Sequence, residues 1–288
     1  VGKPLLLRSS RGVLPTDNSS ALYHHAKFML RQLDQAISVA RHDTAALSGR
    51  VTLGLAPTSN CQIGLPLIRH LRQRLPGVMV NVVEGLSGHL EHMTRVGQLD
   101  LALLFSQKAA AELTVDPLLE EELFVILPRR SRLVPAGQSA LTLAEAAALP
   151  LILPSPGHGL RRRISLEFDR VNVVVDATAE IDSLPLLMRC LAAGMGATIK
   201  PMAAVHALGN PQDWRAIPIS DASMSRINYL YALPPRKLSP CAAVVHDELK
   251  LLVRQLVESG QWQGVRLIEE DAHAASEETQ EREDAVAA

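Results

Sequence analysis

The chain is short of aromatics and of cysteine. Phe, Trp and Tyr make up 3% of its 288 residues while 47% are hydrophobic, so its cores are expected to be large and aliphatic. Cys61, Cys190 and Cys241 lie far apart, with no CxxC pair. That excludes a disulfide framework and a zinc-finger pattern, and it suits a reducing, cytoplasmic location. No run of eighteen apolar residues occurs, so no transmembrane helix and no membrane partner is expected. The opening Val1-Gly-Lys-Pro-Leu-Leu-Leu-Arg8 is too short an apolar stretch for a secretory signal.

Enzyme signatures are missing too. There is no GxSxG elbow, no P-loop and no HExxH. Gly194-Met-Gly196 lacks a third glycine and does not follow a strand pattern, so it is no dinucleotide fingerprint. His89 and His92 share a helix face at spacing i, i+3, but only Glu91 accompanies them, which reads as a solvated surface rather than a metal site. Cys61 reads as a small buried apolar residue. No catalytic residue, metal or cofactor is expected.

Charge is unevenly spread. The net charge is −1, yet residues 268–288 hold eight acidic side chains against one arginine, about −7, which leaves about +6 elsewhere. This acidic, Ala/Ser-rich tail reads as disordered. The first fifty residues carry Lys3, Arg8, Arg11, Lys27, Arg31, Arg41 and Arg50 against three aspartates, a balance that permits nucleic-acid contact without requiring it.

What is present begins at Val51. Val51-Thr-Leu-Gly-Leu55 leads through Ala56-Pro-Thr-Ser-Asn60 into an apolar-periodic segment from Ile63 to Leu75. Val78–Val83, Glu84-Gly-Leu-Ser87, Gly88–Gly97 and Asp100–Phe105 repeat the pattern. A short apolar run, a hydroxyl-bearing turn and a helix-period segment, taken twice, indicate βαβ units on a parallel sheet. Such sheets bind ligands at the carboxyl ends of their strands, where helix N-termini aim N–H groups outward. Thr58, Ser59, Asn60 and Ser87 are predicted at that place, in turns that precede the two helices; the same hydroxyls would also serve as plain N-caps.

Ahead of this unit, Leu22, Ala26, Met29, Leu33, Ala36 and Ala40 are spaced 4, 3, 4, 3, 4. The period of about 3.5 is that of a coiled-coil seam. No Gly or Pro interrupts Asn18 to Leu47, a helix of roughly 40–45 Å. The stripe reads as a dimer seam, with an amphipathic helix on its own domain as the alternative. Thr16 is placed to cap it, and Ser48-Gly49 to end it.

A second set follows the first. Strands are predicted over Glu122–Pro128, Leu151–Leu153, Asn172–Thr178, Ala197–Ile199, Trp214–Ile219 and Ile227–Leu233. Helices are predicted over Leu143–Leu149, Leu160–Asp169, Asp182 or Ser183 to Gly194, and, after Ser239-Pro240, to about Glu258. The chain thus reads as α/β with two lobes, 49–127 plus 234–267 and 128–233, after a linker helix over 17–48. Two hinge strands allow exit from the first lobe and return. The cleft between the lobes is the natural small-molecule site. Ser155-Pro-Gly-His-Gly159 and Arg161 are expected to face Thr58 and Ser87 across it, so that Ser155 offers a hydroxyl while His158 and Arg161 add positive charge for an anionic, carboxylate-bearing ligand.

These residues resemble the LysR-type transcriptional regulators. The resemblance is carried by Gly2–Arg8, Arg11-Gly-Val-Leu-Pro-Thr16, the long helix, Leu47–Gly54, Gly97-Gln-Leu-Asp-Leu-Ala102 and Ala193-Gly-Met-Gly-Ala-Thr-Ile-Lys-Pro201. Leu153-Pro-Ser-Pro-Gly-His-Gly-Leu-Arg161 looks like the branch that includes nitrogen-assimilation-control regulators. The resemblance implies a homodimeric or homotetrameric DNA-binding regulator with a periplasmic-binding-protein-like effector domain. It implies hydroxyl positions at Ser59 and Ser87, with Thr58, Phe105 and Thr198 near the effector. It further implies a wing remnant over 1–16 whose Arg8, Arg11 and Gly12 lie along the DNA backbone. The family's helix-turn-helix precedes residue 1, so the sequence is expected to be truncated or started late, with DNA as a partner once that element is supplied. A solute-binding module without DNA-binding activity is the alternative.

Overall fold

The computed structural model describes residues 1–9, 12–19, 22, 23, 26, 29, 30, 33, 37, 47–105 and 113–268. The expected seam positions Ala36 and Ala40, the wing residue Arg11 and the acidic tail after Ile268 lie outside them.

Strands β1 (Leu6–Ser9) and β2 (Gly12–Pro15) pair antiparallel, with Arg8 opposite Val13. At its turn Gly12 takes a φ of 127°, a region open to glycine. Thr16 then caps a helical segment as its position predicted: its Oγ1 accepts from Ser19 N at 3.2 Å. Leu22, Ala26, Met29 and Leu33 are helical. Leu22, Met29 and Leu33 are exposed to 42%, 59% and 56%, so these apolar side chains of the stripe are not covered by their own chain.

The main sheet is curled and eight-stranded, in the order Trp214–Pro218, Thr114–Pro128, Ser225–Ala232, Leu101–Leu104, Gly49–Leu55, Val78–Glu84, with Thr198–Pro201 and Val265–Leu267 also on Thr114–Pro128, while Leu151–Leu153 and Ala177–Glu180 pair apart from it. Its parallel part is β3 (Gly49–Leu55), β4 (Val78–Glu84) and β5 (Leu101–Leu104), with β3 between the other two. Helix α1 (Pro57–Arg74) follows β3 and α2 (Ser87–Arg95) follows β4. The final helix, α6 (Pro240–Glu258), returns to pack beside α1. Its start matches the expected signal, with Ser239 Oγ accepting from Ala242 N at 3.0 Å and Pro240 at the first position. Leu53, Leu55, Ile63, Leu67, Val245 and Leu249, with Trp262 as the one aromatic among those named, belong to the core between these helices and the sheet.

Strand β6 (Thr114–Pro128) is longer than the expected Glu122–Pro128. Asp116, Pro117, Glu120 and Glu121 hide its first half. The fold accommodates each of them. Arg266 of β12 (Val265–Leu267) pairs with Glu120, Arg226 with Glu121, and His246 with Asp116 at 3.3 Å. The register shift between Asn228 and Tyr229 of β11 (Ser225–Ala232) falls opposite Pro117–Leu119, a bulge where proline costs least.

Beyond Glu122 the same strand enters the second lobe. There it pairs with β9 (Thr198–Pro201) and β10 (Trp214–Pro218). Around them stand α3 (Leu143–Ala147), β7 (Leu151–Leu153), α4 (Gly159–Arg170), β8 (Ala177–Glu180) and α5 (Leu184–Ala192). The capping box of α3 is complete, with Thr142 Oγ1 accepting from Glu145 N at 3.2 Å. The expected strand over Asn172–Thr178 is corrected to Ala177–Glu180. Asn172 turns left-handed at φ 54°, and Val174 is 87% exposed, so β-branched residues there do not make a strand. Leu123, Val125, Leu153, Ile164, Phe168 and Ile199 fill this lobe's main core. Among the described residues no helix is long and apolar enough to cross a membrane.

Candidate functional site

Each lobe turns helix N-termini toward the other. Pro57 occupies the first position of α1, where its fixed φ is pre-organised and its missing N–H costs nothing. That early start corrects one expectation: Thr58, Ser59 and Asn60 lie in the first turn of α1, not in a loop before it. Ser87 is likewise the first residue of α2, after Leu86 as N-cap. From the second lobe, His158 caps α4, its Nδ1 accepting from Leu160 N at 3.1 Å. The ring proton of the neutral imidazole therefore sits on Nε2.

Between these termini lies a cavity of about 580 Å³, lined by Ser87, Phe105, His158, Arg162 and Arg226 among others. It shares Leu86, Ser87, Phe105, His158 and Arg226 with a deeper recess of about 20 Å³, whose other walls include Thr58, Asp182, Leu184 and Lys200.

Of the expected effector residues, Thr58, Ser87, Phe105 and His158 line these spaces. The others do not. Ser59 is 1% exposed, and its Oγ has no hydrogen-bond partner among the described residues. Asn60 Nδ2 donates to Glu84 at 2.7 Å. Ser155 Oγ donates to Asp182 at 2.8 Å, with Ser155 N on the other carboxylate oxygen. Arg161 turns away to Pro154 O at 3.2 Å and Glu180 at 3.5 Å, so Arg162 and Arg163 are the arginines of α4 that face the cavity. Thr198 Oγ1 donates to Ile152 O at 2.6 Å and fastens β9 to β7.

The recess holds two charged residues that the turn-based reading did not single out. Arg226, on β11, pairs with Glu121, donates Nη2 to Thr58 Oγ1 at 2.9 Å and stacks 3.4 Å from the centre of the Phe105 ring. Lys200, on β9, is 4% exposed. Among the described residues its ammonium has no hydrogen bond and no ion pair. Burial, then the Arg226 charge, pushes its pKa down to about 7. His158 is pushed down to about 4 by burial, then by Lys200 and Arg226, whose effects outweigh the opposing one of Asp182. The inner end of the cleft is thus electropositive. A signal existed for both residues: each is the cation of a strand whose other positions are buried or half-buried, Thr198–Pro201 and Ser225–Ala232, and a buried charge needs a partner.

The comparisons with known proteins agree with this architecture. Residues 44–253 match the LysR substrate binding domain family. The chain belongs to the LysR-type transcriptional regulators. A curated relative, the nitrogen assimilation regulatory protein nac of Klebsiella aerogenes, is 36% identical over 251 residues, spanning 86% of this chain and 80% of that protein. A full-length OxyR variant from Pseudomonas aeruginosa superposes with a TM-score of 0.66 at 20% identity, covering 87% of this chain and 80% of that one. The Synechocystis PCC6803 CcmR regulatory domain in complex with 2-PG gives 0.64 at 22% identity, over 73% and 99%. The regulator's fold is the two-lobed, periplasmic-binding-protein-like one that the resemblance implied, and the likeness to nitrogen-assimilation regulators is found as well. Among the described residues no group of His, Cys, Asp and Glu is arranged to hold a metal. The thiol of Cys61 is pushed up to about 11 by burial and then by Glu84, which leaves it protonated and unreactive at neutral pH.

Proposed function

We propose that this regulator works in the cytoplasm as a homodimer or homotetramer whose cleft senses a small carboxylate-bearing anion, by binding rather than turnover. Lys200 carries the proposal: a buried lysine whose ammonium has no hydrogen bond or ion pair among the described residues, beside a buried guanidinium, is stabilised by an anion that supplies charge and acceptors. Thr58, Ser87, Phe105, His158, Lys200 and Arg226 are the proposed effector contacts. The N-termini of α1, α2 and α4 add their positive ends.

The output is a shift in population. Strands β6 and β11 both run between the lobes, so closing the cleft on a ligand turns one lobe against the other. That motion reaches the linker helix through Gly49 at the start of β3. The exposed stripe Leu22, Met29 and Leu33 supports pairing of two copies. Through its wing, with Arg8, Arg11 and Gly12, and the helix-turn-helix of its family, the dimer holds DNA, the wing residues on the phosphate backbone.

Titration of residues 1–288 with a panel of small mono- and dicarboxylates, followed by thermal shift, tests this. At least one carboxylate raises Tm, and Lys200→Met removes the effect. A panel without any stabiliser, or one that stabilises both proteins equally, places the site elsewhere.

A further inference from the structure

A lysine inside a buried strand has two ways out of its electrostatic cost. It can gain an anion, or it can shed its proton. Of the two carboxylates that act on it among the described residues, the buried one, Glu121, is engaged by Arg226. Asp182 lines the recess but is exposed, and both its oxygens accept from Ser155. With a pKa of about 7, Lys200 is a free amine in a substantial fraction of molecules near neutral pH. A free amine desolvated beside another cation is an activated nucleophile toward carbonyl carbon.

Its surroundings select the carbonyl compound. The recess of about 20 Å³ has room for little more than one small polar group. It joins the cavity of about 580 Å³, where the body of a ligand can lie. Arg226, with Thr58 at the N-terminus of α1, suits a carboxylate adjacent to that group. His158 lines both spaces with its Nε2–H free of the cap, a neutral donor for an oxygen at Lys200.

We propose that Lys200 captures the effector as an imine and that the effector is a 2-oxo acid. The Nζ lone pair attacks the carbonyl carbon, and the π pair moves to oxygen, which takes up a proton. The carbinolamine then expels water as the C=N bond forms. In net terms an ammonium and a carbonyl give a protonated imine and one water, with no oxidant or reductant. Hydrolysis reverses the step, as a sensor requires. The positive charge stays on nitrogen, now beside the ligand's own carboxylate. The inference rests on the anion-sensing cleft and narrows it to one chemical class.

The experiment incubates residues 1–288 at pH ~7.5 with pyruvate, 2-oxobutyrate, 2-oxoglutarate or phenylpyruvate, with and without cyanoborohydride, and reads intact mass, peptide map and Tm. The expected product is a reduced adduct on Lys200, heavier by the acid less one oxygen. It forms with at least one acid, well above the labelling of exposed lysines. Lys200→Met gives no such adduct; should that variant fail to fold, the wild-type peptide map decides alone. A rise in Tm without labelling at Lys200 overturns the imine and leaves the anion-sensing cleft intact. Lack of both labelling and any rise in Tm overturns the imine, and if simple carboxylates are equally silent the cleft reading falls with it.

Discussion

Arg226 Nη2 donates to Thr58 Oγ1 at 2.9 Å, and this bond ties the first turn of α1 to the start of β11. Both residues are buried, so neither can turn to water instead. Thr58→Val keeps the shape and removes the acceptor. A buried donor left unmade costs about 1–3 kcal/mol. The guanidinium keeps Glu121 and Phe105 but loses its third restraint. The expected result is a modest fall in Tm together with roughly tenfold weaker effector affinity, read by calorimetry once a ligand is in hand. Unchanged affinity with lowered Tm would make the bond purely structural.

Gly196 stands where α5 gives way to β9. Its φ is 157°, and a Cβ there would lie 2.1 Å from Pro150 O. The neighbouring Ala197 bonds with Pro150 and Ile152, which seats β9 and hence Lys200. Gly196→Ala has to push backbone against backbone, at about 2–4 kcal/mol. Urea unfolding should report that loss, and Lys200 chemistry should weaken with it. A variant as stable as the parent would mean that the strand moves freely.

Sequence pattern carried the lobes well, because aliphatic runs and helix-period segments alternate in order and turn residues punctuate them. It also found Thr16 and Ser239 at helix starts, since capping is local chemistry. It failed where tertiary partners override local preference. Asp116, Pro117, Glu120 and Glu121 read as anything but a strand, yet His246, Arg226 and Arg266, each more than a hundred residues away, make the first half of β6 possible. The site was half legible for the same reason. Hydroxyls before predicted helices pointed to Thr58 and Ser87. Nothing local said that Arg161 would turn to Pro154 O while Arg162 faced the cavity, because consecutive helical residues point in different directions. Lys200 was visible as a letter, but its isolation was visible only in three dimensions.

The exposed stripe Leu22, Met29 and Leu33 sets an expectation for assembly. Light scattering of residues 1–288 should give at least a dimer. Leu33→Glu puts like charges face to face in the seam and should shift the equilibrium toward monomer, leaving the far-UV spectrum of the α/β domain unchanged. A strictly monomeric parent chain would sink the seam.

Lys200 also predicts an unusual pH profile. Its folded pKa of about 7 lies below the ordinary 10.5, so between those values the unfolded chain binds more protons than the folded one. Stability of the ligand-free protein therefore rises with pH across this window, by up to about 1.4 kcal/mol per pH unit for one proton. Cys61 acts in the opposite sense at the alkaline end: its thiol, raised from 9.0 to about 11, makes stability fall as pH rises through that range. His158, lowered from 6.5 to about 4, contributes only on the acid side, where stability falls as pH drops below 6.5. His246, held above 6.5 by its hydrogen bond to Asp116, acts against Lys200 as pH rises, so Lys200 is read from about pH 7 to pH 8.5 as the difference between the wild-type chain and Lys200→Met. Urea midpoints of the wild-type chain should climb there relative to those of the variant. For Lys200→Met, which keeps the long side chain and discards the charge, they should be higher at pH 7, and the gap should narrow toward about pH 8.5. Adding a stabilising carboxylate should remove that narrowing, because an anion at Nζ restores the proton. Parallel profiles for the two proteins would show that the ammonium has found its partner in solution, and the electropositive recess would lose its main support.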